Sequence, residues 1–80
     1  AYPNPFNPKT NFDINMSSSE YIEIDIYDIM GHKVDAIFSG YLNKGKYSFN
    51  WDGTNNTTGL YFIKATTQNN LLIQKITLIK

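Results

Sequence analysis

The sequence predicts an all-β sandwich of about seven short antiparallel strands in two stacked sheets. Three observations carry that expectation. Apolar and polar residues alternate along most of the 80 residues, and no stretch sustains helical spacing. Clusters of Gly, Asn, Asp, Ser and Thr interrupt the alternating runs at turn-like intervals. Six Tyr, five Phe and one Trp supply the large rings that a thin two-layer domain needs for its core.

Residues 1–9 read as a proline-rich linker or lead-in, and residues 10–80 as the sandwich itself. In "AYPNPFNP" the prolines at 3, 5 and 8 each fix φ, lack a donor and hold the preceding residue extended, which excludes a helix or a central strand. The start at Ala1, in mid-phrase, reads as a piece of something larger. "NFDINM" sets Phe12 and Ile14 on one face against Asp13 and Asn15. "YIEIDIYD" is the clearest run, with Ile22, Ile24 and Ile26 facing one way and Glu23 and Asp25 the other. A turn is expected at Gly31, then a strand in which Val34, Ala36 and Phe38 share a face. After a turn at "NKG", "KYSFNWDG" aligns Tyr47, Phe49 and Trp51. "DGTNNTTG" has the chemistry of a loop. "LYFIKAT" aligns Tyr61, Ile63 and Ala65, "TQNN" makes a hairpin turn, and "LLIQKITLIK" forms the last strand with Ile76 and Leu78 inward.

Composition narrows function mainly by exclusion. The formal charge is zero and every basic residue is Lys, which argues against a nucleic-acid surface. No apolar run is long enough for a membrane span. With no cysteine, neither disulfides nor thiolate metal sites are available. One domain is expected, a monomer without a cofactor.

Groups that do chemistry are sparse, and no catalytic residue is assigned. His32, the only histidine, lies in the expected turn at Gly31 and has no partner at metal-ligand spacing. Glu23 and Asp25 alternate on a strand whose opposite face is apolar, the pattern of a solvated side that also discourages edge-to-edge association. Asp52, Asn55 and Asn56 form a weak calcium candidate, lacking the second carboxylate and closing Glu of a strong loop. Tyr47, Trp51 and Tyr61 are candidates for a glycan-stacking platform, provided that their rings are exposed and coplanar; core packing is the competing reading of the same spacing.

Five segments in order, "YPNPFNP", "IYDIMGHKV", "GKYSFNWDG", "TGLYFIKATT" and "QKITLIK", resemble the type A C-terminal sorting domain of type IX secretion. The likeness covers nearly the whole chain, and "WDG" with "GLYF" is also similar to the immunoglobulin-like domain of flagellar hook-capping proteins. The resemblance implies an immunoglobulin-like sandwich that acts as a secretion signal at the end of a cargo protein in a Bacteroidota-like bacterium. It implies passage through the periplasm, recognition by an outer-membrane translocon, cleavage by a sortase-like cysteine peptidase, and delivery to the outer-membrane surface or beyond the cell. By position, the residues it marks are Pro3, Asn4 and Pro5 near the cut, Gly59 and Tyr61 in the penultimate strand, and Lys75, Ile76, Leu78 and Lys80 at the end. A terminal strand of this kind is also suited to a sheet edge, where a partner adds a strand. The competing expectation is an immunoglobulin-like accessory module that binds a glycan or a partner protein on a secreted enzyme or adhesin.

Overall fold

The computed structural model of the protein describes residues 9–79. Six strands follow one another: β1 (Lys9–Met16), β2 (Glu20–Asp28), β3 (Lys33–Leu42), β4 (Gly45–Asp52), β5 (Gly59–Thr67) and β6 (Leu71–Leu78). The described residues therefore hold six strands, not the expected seven, and the lead-in of residues 1–8 lies outside them. Strands β1 and β4 form a two-stranded layer, and β3-β2-β5-β6 form a four-stranded one, with every pairing antiparallel. The chain crosses between layers after β1, β3 and β4, while β2–β3 and β5–β6 are hairpins.

Alternation explains the layering. One face of each strand is apolar, and the two apolar faces meet. Phe12, Ile14, Met16 and Trp51 come from the small sheet; Ile22, Ile24, Ile26, Tyr61, Ile63, Ala65, Ile76 and Leu78 come from the large one. Burying each Ile or Phe stabilises the fold by about 1.5–3 kcal/mol. Phe49 lies opposite Phe12 in the β1–β4 ladder, and its ring stands 5.9 Å from Phe12 and 5.6 Å from Phe38 of the other sheet. The Phe38–Phe49 contact thus bridges the two layers. Ile76 and Leu78 face inward as expected, and Lys75 is exposed on the opposite face.

Strand β3 departs from the expected pattern. Two register shifts against β2 pair Ile24 with Phe38 but Asp25 with Ala36, then Ile26 with Asp35 but Tyr27 with Lys33. Each extra residue inverts the facing of its successors along the strand. Ala36 therefore stands opposite outward-facing Asp25 and is exposed, while Asp35 moves to the inner rim opposite Ile26. Val34 and Phe38 do pack against the core, joined by Ile37.

The turns are built from the expected residues. At 28–32, Gly31 adopts φ 87°, a left-handed value that a side chain disfavours, and its N–H donates to the Asp28 carbonyl at 3.0 Å. The Asp28 carboxylate accepts from the Met30 and His32 amides, each at 2.9 Å. At 67–70 the Thr67 amide donates to the Asn70 carbonyl at 2.8 Å, closing the last hairpin and setting the register of β6.

Candidate recognition surface

The terminal strand lies at a sheet edge and leaves several apolar side chains exposed. Among the described residues, β6 is the outermost strand of the large sheet and pairs only with β5. Because Thr67 and Asn70 form a hydrogen-bonded pair, alternation turns the main-chain groups of Leu71, Ile73, Lys75 and Thr77 away from β5. Leu71, Leu72 and Ile73 are each more than half exposed, as is Ile79 just beyond the strand. Consecutive strand residues face opposite ways, so a run of three apolar residues must put at least one outside.

The residues expected to carry recognition do not all sit together. Ile76 and Leu78 are core residues, Lys75 is exposed on the outer face, and Gly59 begins β5 opposite Leu78. Tyr61 stands opposite Ile76 and is 5% exposed; its hydroxyl donates to the Thr57 carbonyl at 2.6 Å and so fastens the 53–58 loop to the sheet. Pro3, Asn4, Pro5 and Lys80 lie outside the described residues.

Two other sequence candidates take different roles. The stacking platform of Tyr47, Trp51 and Tyr61 is corrected by burial. Trp51 is 1% exposed, and its ring packs 5.1 Å from Tyr61 at 59°, so neither ring offers a solvent-facing plane. Tyr47 is half-buried, with its hydroxyl bonded to the Asn43 carbonyl at 2.8 Å. In the 52–58 loop, the Asp52 carboxylate accepts from both the hydroxyl and the amide of Thr54. These two bonds, the hydroxyl first, hold its pKa below the ordinary value of 3.8, helped by the charge of Lys9. Asp52 is thus engaged in shaping the turn, and Asn56 is tied by its amide to the Gly53 carbonyl at 2.8 Å. Among the described residues, no three His, Cys, Asp or Glu side chains gather as a metal site would require.

His32 is exposed at the 28–32 turn, with Nδ1 3.6 Å from the Asp28 carboxylate. Asp25 lies 3.5 Å from Lys33 on the outer face, and Glu23 is exposed beside it. The sequence reading missed Gly53, which is buried against the terminal strand: a Cβ there would stand 2.9 Å from Leu78 and 3.2 Å from Trp51. The Trp-Asp-Gly triplet marks the place, but only the packing shows what the glycine faces.

These features define a small two-sheet β-sandwich module with an exposed terminal strand at one sheet edge. The comparison with known families makes that specific: the chain belongs to the secretion system C-terminal sorting domain family, whose profile matches residues 1–80. It is the C-terminal sorting signal of type IX secretion, which directs export to the outer membrane or the extracellular space through that system. No curated protein and no solved structure matches the chain.

Proposed function

We propose that an outer-membrane translocon recognises this folded domain through its terminal strand after the cargo has crossed the periplasm. A sortase-like cysteine peptidase then cuts near Pro3, Asn4 and Pro5. The observation that carries this reading is the run of exposed apolar residues Leu71, Leu72 and Ile73 on β6, at a sheet edge. Lys75 and Lys80 would supply charge beside it. Gly59 and Tyr61 act indirectly, by holding β5 and the 53–58 loop against which the strand end is set. Ile76 and Leu78 act by keeping that end docked. The prolines at 3, 5 and 8 would restrict the backbone of the stretch that carries the cut site. The domain is a monomer without catalytic activity of its own.

The test is a reporter carrying an export signal and this domain at its C terminus, expressed in a type IX-competent cell. Reporter in the medium or on the surface, with Lys75→Glu leaving it in the periplasm, supports the reading. Export that is equal with and without the domain overturns it. Cutting the terminal residues away is a poorer test, because it removes buried Ile76 and Leu78 and so unfolds the sandwich.

A further inference from the structure

We propose that residues 2–6 form a further strand, which pairs in parallel with the edge of β6 and lays Tyr2 and Phe6 over the open part of the inner face. The pairing stands on the fold and the proline spacing. It rests on the sorting reading only in one consequence, that the stretch to be cut is held on the sheet.

The start of β1 lies within reach of that edge. Lys9 pairs with Asp52, and the adjoining Gly53 is packed against the side chain of Leu78, where β6 ends. At the opposite end of the sandwich, Ile14, Met16, Leu71 and Leu72 border one cavity. β1 and β6 therefore run in opposite directions on the two sides of the seam. A chain that doubles back from Lys9 along β6 is parallel to it. The three steps from Phe6 to Lys9 span about 10 Å, the usual separation of packed sheets. A hairpin back onto β1 would instead need a two-residue turn at Asn7-Pro8, and the I′ geometry that such turns favour is closed to proline.

The prolines choose the side that pairs. Consecutive residues of an edge strand turn their main-chain groups to alternate sides. Pro3 and Pro5 share one side, which lacks both donors, while Tyr2, Asn4 and Phe6 keep theirs on the other. β6 offers the outward groups of Leu71, Ile73, Lys75 and Thr77. With Asn4 beside Gln74, the amides of Tyr2, Asn4 and Phe6 donate to the carbonyls of Leu71, Ile73 and Lys75. The carbonyls of the same three residues accept from the amides of Ile73, Lys75 and Thr77. Pro3 and Pro5 then line the new edge of the sheet, where they blunt any further addition.

The facing agrees with this register. Residues side by side in a sheet project to the same face, so Tyr2, Asn4 and Phe6 join Leu72, Gln74 and Ile76 on the inner one. That face is incompletely covered by the two-stranded layer. Leu72 is 51% exposed although it lies opposite buried Ala65, and Gln74 is exposed opposite buried Ile63. The open cavity beside Leu72, of about 300 Å³, is lined by apolar Ile14, Met16 and Ala65 and by polar Ser17, Glu20 and Asn70. Tyr2 suits such a mixture, with an apolar ring and a polar tip. Leu71, Ile73 and Lys75 stay open on the outer face. A second copy of the chain can also pair with β6, setting Leu71 against Thr77 and Ile73 against Lys75. The tethered segment wins at ordinary concentrations, because a short link gives it an effective concentration of about a millimolar or more.

The test is hydrogen exchange and nuclear Overhauser spectroscopy on the isotope-labelled 80-residue chain at submillimolar concentration. The amides of Ile73, Lys75 and Thr77 should be protected by about tenfold or more, while that of Leu71, left without an acceptor in this register, is not. The Tyr2 ring should show contacts to the Leu72 methyls, and the Phe6 ring to those of Ile76. Asn4→Pro removes the central donor and should abolish the protection, with the amide of Ile24 in the core unchanged as a check on folding. Phe6→Asp, which puts a charge on the inner face, should do the same and decides the matter if the proline variant does not fold. Unprotected amides at Ile73, Lys75 and Thr77 in the parent, or protection that survives both variants, overturn the proposal. Protection that extends to Leu71 and weakens on dilution makes a second copy the occupant and overturns it as well. None of these results bears on reporter export, which tests the sorting reading separately.

Discussion

The indole Nε1 of Trp51 donates a hydrogen bond of 2.9 Å to Oδ2 of Asp35, joining the small sheet to the edge strand of the large one. Trp51 is 1% exposed, so its N–H has lost water and needs a partner within the protein. The register shifts of β3 bring Asp35 to the inner rim to meet it.

Asp35→Ala strands that indole N–H and should cost about 1–3 kcal/mol. Each kcal/mol corresponds to a fall of roughly 4–8 °C in Tm for a domain of this size. Asp35→Asn keeps an acceptor and should cost less. Thermal unfolding followed by far-UV circular dichroism measures both. If Asp35→Ala melts with the parent, the bond does not hold the layers together.

The contact between Gly53 and the terminal strand gives a second expectation. Adding a methyl group in Gly53→Ala places Cβ 2.9 Å from the Leu78 side chain and 3.2 Å from Trp51, both fully buried. Overpacking of this kind costs about 1–3 kcal/mol. Shortening the neighbour in Leu78→Val should recover part of the loss, so urea unfolding of the double variant should show less than the sum of the single effects. Additive losses would mean that the two residues do not press on each other.

Much of this fold is legible in the sequence because one face of most strands is dry. Ile22, Ile24 and Ile26, or Tyr61, Ile63 and Ala65, cannot exchange faces without exposing the core, so period-two spacing suffices. In β3 the spacing misleads, since a bulge adds one residue and no composition announces it. Ala36 turns outward, and an aspartate becomes the partner of the tryptophan. The aromatic spacing of Tyr47, Phe49 and Trp51 is equally silent on whether a second sheet covers it; here one does. Recognition is the least legible part. In the reading proposed above it depends on which strand is left at an edge, and that is decided by pairing across the sheets, so the sorting role rests on family likeness and not on reactive residues.

Asp52 predicts a small acid dependence. Its pKa is depressed below 3.8 in the folded chain by the Thr54 hydroxyl and amide, so the folded state favours the charged form. The stabilising contribution is complete above the unfolded value and is lost as pH falls from there through the lower folded value. Because the carboxyl is exposed, the effect is confined to the turn. Removing both Thr54 side-chain bonding and carboxylate charge, in Thr54→Val and Asp52→Asn, should flatten the fall in urea midpoint below about pH 4 relative to the parent. A parent curve identical to that of Asp52→Asn across this range would show that the turn contributes nothing to the acid limb.

Ile73 and Ile76 lie three residues apart on one strand and should separate stability from recognition. Ile76 is 9% exposed beneath the small sheet, and Ile73 is 56% exposed on the outer face. Ile76→Ala opens a cavity in the core and should cost about 2–5 kcal/mol, a large share of the stability of a domain this small. Ile73→Ala removes a side chain from solvent and should change stability by less than about 0.5 kcal/mol. If the outer face of β6 is what the export machinery meets, Ile73→Ala should nonetheless reduce reporter export while leaving the urea midpoint in place. Ile76→Ala should reduce export only in proportion to the unfolded fraction. Normal export of the Ile73 variant would move the recognised surface elsewhere on the domain, whereas a large loss of stability in it would mean that β6 is more deeply packed than its exposure implies.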